Sequence, residues 1–257
     1  MKMKKTTILF LSIAIIMSIS SCTKKSEKFI DSLFEAYNNK NFSEINDLAY
    51  NNTGDMMETL CEDLYESLGE VETYKKYSFN TSLNDGIKLV QLYYECEVEK
   101  MDKTVYMKFD VVDEKGEELK IKAIIYSSNK DFIDNYNDNM EKAINTVDEY
   151  YTYLEDDDDE SIYDMLSEDI QNEEATVNMF FEFIVNRRDY YGRIQEREYS
   201  HSRSEFYDDK AHFIIYHNCE SKDGSKFVEE ISVEEDGNEF KIYNYRYAHN
   251  LDELNEL

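Results

Sequence analysis

Leu68-Gly69-Glu70-Val71 and Tyr191-Gly192-Arg193-Ile194 decide how this sequence reads, because the chain resumes the same pattern after each of them. Tyr77-Ser78 faces Tyr199-Ser200, and Tyr93-Tyr94-Glu95-Cys96-Glu97 faces Tyr216-His217-Asn218-Cys219-Glu220. Asp113-Glu114-Lys115-Gly116 faces Glu234-Glu235-Asp236-Gly237, and Lys120-Ile121 with Tyr126 faces Lys241-Ile242 with Tyr247. Agreement at a displacement of about 117 to 123 residues, held over about a hundred positions, is the mark of an internal repeat.

Outward from each glycine the periodicity changes from helical to extended. Upstream, Ile30, Leu33, Phe34 and Tyr37 fall at i, i+3, i+4 and i+7, as do Val147, Tyr150, Tyr151 and Leu154, the stripe of a helix with one buried face. After turns at 38–41 and 155–160, a short helix carries Ile45 and Leu48, or Ile162 and Met165. A third helix offers Met56, Met57, Leu60 and Leu64, matched by Met179, Phe180, Phe183 and the less apolar Arg187, with Gly69 and Gly192 as its stops. Downstream, strands are expected at 71–80, 87–99, 103–113 and 118–128, then at 193–203, 210–220, 225–235 and 239–248, with Asp223-Gly224 and Asp236-Gly237 in turns. Alternation of Phe213 and Ile215 against Ile214 and Tyr216 predicts a sheet covered on one face and partly on the other. The expected fold class is α+β: two tandem repeats, each with three N-terminal helices packed on a curved four-stranded antiparallel sheet. The first domain spans 29–129, a linker 130–139 left open to partial helix, the second domain 140–250, and an acidic tail 251–257.

Composition supports folded domains. Of 257 residues 41% are hydrophobic, with 22 Tyr and 14 Phe, enough to build cores. The 57 acidic and 28 basic residues give a net charge of -29, which repels phosphate backbones, so nucleic acid is not an expected partner. Pro and Trp are absent, which excludes polyproline linkers and Pro-rich ligand segments.

At the start of the chain Lys2, Lys4 and Lys5 precede an apolar run from Ile8 to Ile19, and Ile19-Ser20-Ser21-Cys22 resembles a bacterial lipobox. The run is shorter than the roughly 20 residues of a spanning helix, and polar Thr23-Lys24-Lys25-Ser26-Glu27 follows at once. The resemblance implies a signal peptide over 1–21, a diacylglycerol on the Cys22 thiol, and a lipidated tether over 22–28. Each buried methylene contributes ~0.8 kcal/mol, so two or more acyl chains hold the protein at a membrane of the cell envelope. Lipidation leaves Cys61, Cys96 and Cys219, an odd number, so at least one thiol stays free. Their apolar surroundings suggest packing cysteines, with a Cys61 to Cys96 bridge left open.

The order helix, short helix, helix, Gly-x-[Val/Ile], long strand, strand, and a strand ending Lys-Ile-x-x-x-x-Tyr resembles the nuclear transport factor 2-like fold, a cystatin-like shape. It is most similar to small envelope-lipoprotein domains of unknown function, over about residues 26–129 and 140–250. The Trp such domains often carry in the last strand is missing, with Leu119 and Phe240 nearby instead. The resemblance implies a fold that serves isomerases, cyclases, dehydratases and many non-catalytic binding modules.

An enzyme of this shape would use an inward acid beside a Tyr hydroxyl, for which the strand residues Tyr93, Tyr126, Tyr216 and Tyr247 are the candidates; they are also the ligand-binding candidates, against the plainer reading that strand tyrosines pack in the core or at its rim. No single Asp or Glu stands out among dozens. His201, His212, His217 and His249 lack the spacing of a metal site, and no phosphate loop, nucleophile elbow or cofactor motif occurs. The run 155–160 lacks the glycine of a calcium loop and reads as a solvated turn whose acids favour the next helix. Arg187, Arg188, Arg193, Arg197 and Arg203 form either a positive strip or ordinary pairs with surplus acids. The leading expectation is a membrane-anchored module that binds a protein or small molecule without a cofactor; the alternatives are an isomerase-like or cyclase-like enzyme and a structural spacer. Replacing Cys22 with Ala is expected to release the protein from the membrane fraction, scored by fractionation and intact mass; retention with an unmodified thiol would refute the anchor.

Overall fold

Gly69 and Gly192 turn the chain from helix to strand with φ of 73° and 81°, conformations that side chains with a Cβ rarely adopt. A computed structural model describes residues 24–50, 54–84, 87–114, 118–207 and 210–256; the expected signal peptide, Cys22 and Thr23 lie outside the described residues. The chain divides between Ile133 and Asp134 into two units. Each carries one four-stranded antiparallel sheet with its strands in sequence order, so the architecture is α+β in tandem.

In the first unit α1 (24–38), α2 (Phe42–Asp47) and α3 (Gly54–Leu68) precede β1 (Val71–Asn84), β2 (Ile87–Val98), β3 (Met101–Glu114) and β4 (Leu119–Ser127). Helix α4 (Lys130–Asp134) follows at the boundary. In the second, α5 (Tyr136–Asp156), α6 (Asp159–Asp164), α7 (Glu168–Gln171) and α8 (Glu174–Tyr191) precede β5 (Ile194–Tyr207), β6 (Lys210–Ser221), β7 (Lys226–Asp236) and β8 (Glu239–Ala248), and α9 (Leu251–Glu256) closes the chain. Three helices before each sheet is therefore not what the second unit has. Ser167, in extended backbone, starts the additional single turn α7, and buried Ile170 anchors it. Residues 130–139, read as a linker, are largely helical, and 251–257, read as a tail, hold α9.

The two units repeat one another in detail. Bulges interrupt the first hairpin at Val71/Thr73 and Lys76/Ser78 in one, and at Ile194/Glu196 and Tyr199/His201 in the other. The last strand pair is offset at Asp110/Val111 and at Ser232/Val233. Ile121 N–H donates to the Leu48 carbonyl at 2.8 Å, as Ile242 N–H does to that of Met165, so the short helix is tied to the last strand both times. The Lys120 ammonium donates to the Asp47 carbonyl at 2.9 Å and that of Lys241 to Asp164 at 3.0 Å.

Leu33, Phe34 and Tyr37 of α1, Ile45 of α2, and Cys61 and Leu64 of α3 pack on Leu92, Tyr94, Cys96, Met107, Phe109 and Ile121 of the first sheet. Buried side chains of this kind contribute ~1.5–3 kcal/mol each. Cys61 and Cys96 are free thiols, both pushed up to about 12 by burial, so they pack rather than react. On the far face of the second sheet, Leu251 and Leu254 of α9 cover Ile214, Tyr216, Val228 and Ala248. Among the described residues no helix is long and apolar enough to cross a membrane.

Gly192 has φ 81° and ψ -166°, a region essentially restricted to glycine. A Cβ on Gly69 would stand 2.8 Å from the Cβ of Glu99, whereas one on Gly192 meets nothing closer than 4.0 Å. Gly192→Ala is expected to cost about 1–3 kcal/mol in chemical denaturation, and Gly69→Ala more than backbone strain alone. Unchanged stability in both would contradict the role assigned to these turns.

Candidate functional site

Strand alternation turns His217 and Cys219 of β6, Glu229 of β7 and Tyr245 of β8 toward α5 and α8, where an apolar sheet face would ordinarily pack. Glu229 is fully buried and Arg187 of α8 is 2% exposed. Two charges so placed must satisfy each other, and they do: Arg187 Nε lies 3.0 Å from Glu229 Oε1. The Tyr245 hydroxyl donates to the same oxygen at 2.5 Å, and the Tyr151 hydroxyl of α5 donates to Oε2 at 2.6 Å. Cys219 Sγ reaches Oε2 at 3.7 Å. Arg187 Nη1 then donates to the Gly192 carbonyl at 3.0 Å, joining the cluster to the glycine turn.

Desolvation first, then the Glu229 charge, hold the Tyr151 and Tyr245 hydroxyls far above the usual phenol range, so both remain donors. Although burial alone would lower it, the Arg187 guanidinium is raised by Glu229 and stays charged. Burial and the nearby Arg197 guanidinium lower His217 to about 4, so its ring is neutral. The Tyr150 hydroxyl and His217 Nδ1 are buried with no hydrogen-bond partner among the described residues. The buried Tyr94 hydroxyl in the first unit's core is likewise without a partner among the described residues, so such groups occur in both copies.

The first unit supplies the contrast. At the positions of Tyr150, Tyr151, Arg187, Glu229 and Tyr245 the repeat has Leu33, Phe34, Leu64, Met107 and Ile124. Leu33, Phe34, Leu64, Met107 and Ile124 line a void of about 20 Å³, too small for a ligand, while Phe34 also borders an open cavity of about 450 Å³ beside α1. One frame thus encloses an apolar plug in one copy and a hydrogen-bonded ion pair in the other.

Beside the cluster a cavity of about 390 Å³ opens between the end of α5, the end of α8 and the start of β5. Tyr151 and Arg187 belong to its wall, together with Leu154, Ile194 and Gln195. Around them stand the cations Arg188, Arg193 and Lys222 and the acids Glu155 and Asp156.

The four tyrosines singled out in the sequence do not converge. Tyr93 and Tyr216 point away from the helices that precede their sheets: Tyr93 packs on Tyr77 at 6.1 Å, and Tyr216 stacks on His201 at 4.3 Å and 7° beneath α9. Tyr126 is 40% exposed. Tyr247 is the cross-strand partner of Glu229, but the hydroxyl on the carboxylate is that of Tyr245. The arginines are mostly paired: Arg188 and Arg193 with Asp157, Arg197 with Asp148, and Arg246 with Glu230. In the acidic run, Asp158 caps α6 by accepting from Ser161 N–H at 3.1 Å. Among the described residues no group of three or more His, Cys, Asp or Glu is placed to hold a metal.

Of Glu229, Arg187, Tyr151 and Tyr245, only Arg187 was picked out from the sequence, as part of a candidate positive strip with Arg188, Arg193, Arg197 and Arg203; Glu229, Tyr151 and Tyr245 were not picked out as a site. The repeat carried the signal: a Leu and a Met in one copy stand where an Arg and a Glu stand in the other. Compared with protein-family models and with curated proteins, the sequence matches none.

Glu229→Met alone strands a buried Arg187, and Arg187→Leu alone strands a buried Glu229. Each is expected to cost about 3–5 kcal/mol in chemical denaturation, while the double substitution, which installs the first unit's pair, recovers at least about half of the summed loss. Simple additivity would show that the two charges do not hold one another.

Proposed function

We propose that this chain is an envelope lipoprotein, anchored through acyl chains on Cys22, in which the second of two nuclear transport factor 2-like units is a small-molecule-binding module and the first is its structural counterpart. The observation that carries this is the exchange of Leu64 and Met107 for Arg187 and Glu229 in an otherwise repeated frame. The fold does not need the ion pair, since the first copy does without it, and a buried pair is weak support for stability. What the pair does is hold Arg187 and Tyr151 rigidly in the wall of a cavity of about 390 Å³; the first unit's counterpart, about 450 Å³, is of similar size, so what sets the second apart is the ion-paired wall and not the volume. The charge order at Lys2 to Lys5, the apolar run and the Ile-Ser-Ser-Cys ending support the anchor, and the described helices provide no alternative of their own.

The geometry favours binding over catalysis. A general base needs a free lone pair within about 3 Å of the proton it removes. Both oxygens of Glu229 are occupied, Oε1 by Arg187 and Tyr245 and Oε2 by Tyr151 and Cys219. The Tyr151 and Tyr245 hydroxyls are spent on the same carboxylate, and the unpartnered Tyr150 hydroxyl does not line the cavity, so none stands ready there for a developing oxyanion. Gln195 lines the cavity from an exposed position on β5, so Gln195→Trp blocks the mouth without touching the buried cluster. Native mass spectra of the full chain, extracted from its membrane in mild detergent, are expected to carry a small-molecule adduct that Gln195→Trp lacks and that denaturation releases chemically unchanged. Adduct-free spectra of the parent protein would overturn the binding reading, and a chemically altered ligand would overturn the non-catalytic one.

A further inference from the structure

We infer that the cavity of the second unit takes a small organic anion, a carboxylate borne on an apolar or aromatic body; this rests on the reading of that unit as a binding module. The two units hold cavities at the same place in the repeat, between the first helix and the first strand. Phe34, Asn38, Val71 and Glu72 line one, and their counterparts Tyr151, Glu155, Ile194 and Gln195 line the other. The charges around them are reversed. In the first unit Lys28 stands among Asp31, Glu35 and Glu72, whereas in the second Arg187, Arg188, Arg193 and Lys222 stand against Glu155 and Asp156. A chain with twice as many acids as bases gathers four cations around one cavity, against its own composition.

Three arginines divide the work. Arg187 is fixed, with Nε on Glu229 and Tyr245 and Nη1 on the Gly192 carbonyl, so it contributes a buried positive charge to the wall of the cavity it lines. Arg188 and Arg193 already demonstrate carboxylate binding, because both hold Asp157, at 2.6 Å and 2.5 Å. Asp157 sits in left-handed backbone after α5 with its side chain 45% exposed, so it is an internal competitor that a ligand carboxylate can displace from partly solvated guanidinium groups. Leu154, Ile194 and the Tyr151 ring complete the wall. A bare inorganic ion would leave those apolar surfaces wet, whereas a carboxylate carried on a hydrocarbon or ring covers them, and that selects the ligand class.

Equilibrium dialysis of the full chain in non-ionic detergent, with benzoate as the probe and benzamide as its uncharged counterpart, tests the assignment. Benzoate is expected to bind, with benzamide about tenfold or more weaker. Arg193→Gln, at an exposed position outside the buried cluster, should weaken benzoate about tenfold. Asp157→Asn removes the competitor while keeping a residue that tolerates left-handed backbone, and should tighten benzoate severalfold. Equal affinities for benzoate and benzamide would overturn the anionic class while leaving the unit a binding module. No benzoate binding, or an affinity that neither substitution changes, would also overturn the assignment, and the native spectra judge the module separately.

Discussion

A carboxylate with no exposed surface cannot remain charged without donors, and Glu229 collects its hydroxyl and guanidinium donors from three other elements, with the Cys219 thiol of β6 as a weaker fourth contact. Tyr151 comes from α5, Arg187 from α8 and Tyr245 from β8, each to a defined oxygen of a β7 side chain. Apolar packing tolerates small slides of a helix across a sheet, whereas this arrangement fixes α5 and α8 by directional contacts of 2.5 to 3.0 Å. The Arg187 bond to the Gly192 carbonyl extends the constraint into the turn that launches β5, and so to the wall of the cavity. Position in this unit is set by charge and in its counterpart by shape.

The frame itself was legible because it rests on short-range signals. The i, i+3, i+4, i+7 stripes, the two glycine stops and the alternating strands are set by backbone geometry and apolar burial, and the expected strands lie within a few residues of those observed. β1 and β5 run further than expected, to Asn84 and Tyr207, because residues 81–84 and 204–207, of mixed polar and apolar type, keep pairing with β2 and β6. Helix α7 was missed because a single turn anchored by Ile170 has no periodicity to detect. Helix α9 was hidden by its acids, although Leu251 and Leu254 sit at i and i+3 on the sheet.

The site was less legible, for a different reason. Glu229 and Glu230 are adjacent in a chain crowded with acids, and both are buried, one toward the helices on Arg187 and one on the far face with Arg246. Alternation identifies faces but gives no sign of which acid on a face loses its water. The tyrosines follow the plainer of their two readings: Tyr93 and Tyr216 pack against rings on the far face. The informative comparison lies within the chain. Repeated residues report what the frame requires, and the residues that differ in kind at matched inward positions, Leu64 against Arg187 and Met107 against Glu229, report where one copy departs from it.

Net charge shapes what can reach such a site. At -29 the protein repels extended polyanions over its whole surface, yet at physiological ionic strength that field decays within about 8 Å. A small anion at the mouth of the second unit therefore meets Arg187, Arg188, Arg193 and Lys222 at short range and little of the acidic remainder. A nucleic acid or an anionic lipid surface must cover many ångströms of protein and meets the full excess of carboxylates. On the proposed reading, the same composition that excludes large anions makes a local cluster of cations selective for small ones, and Asp157, shared by two arginines, keeps that cluster ordered until a ligand carboxylate replaces it.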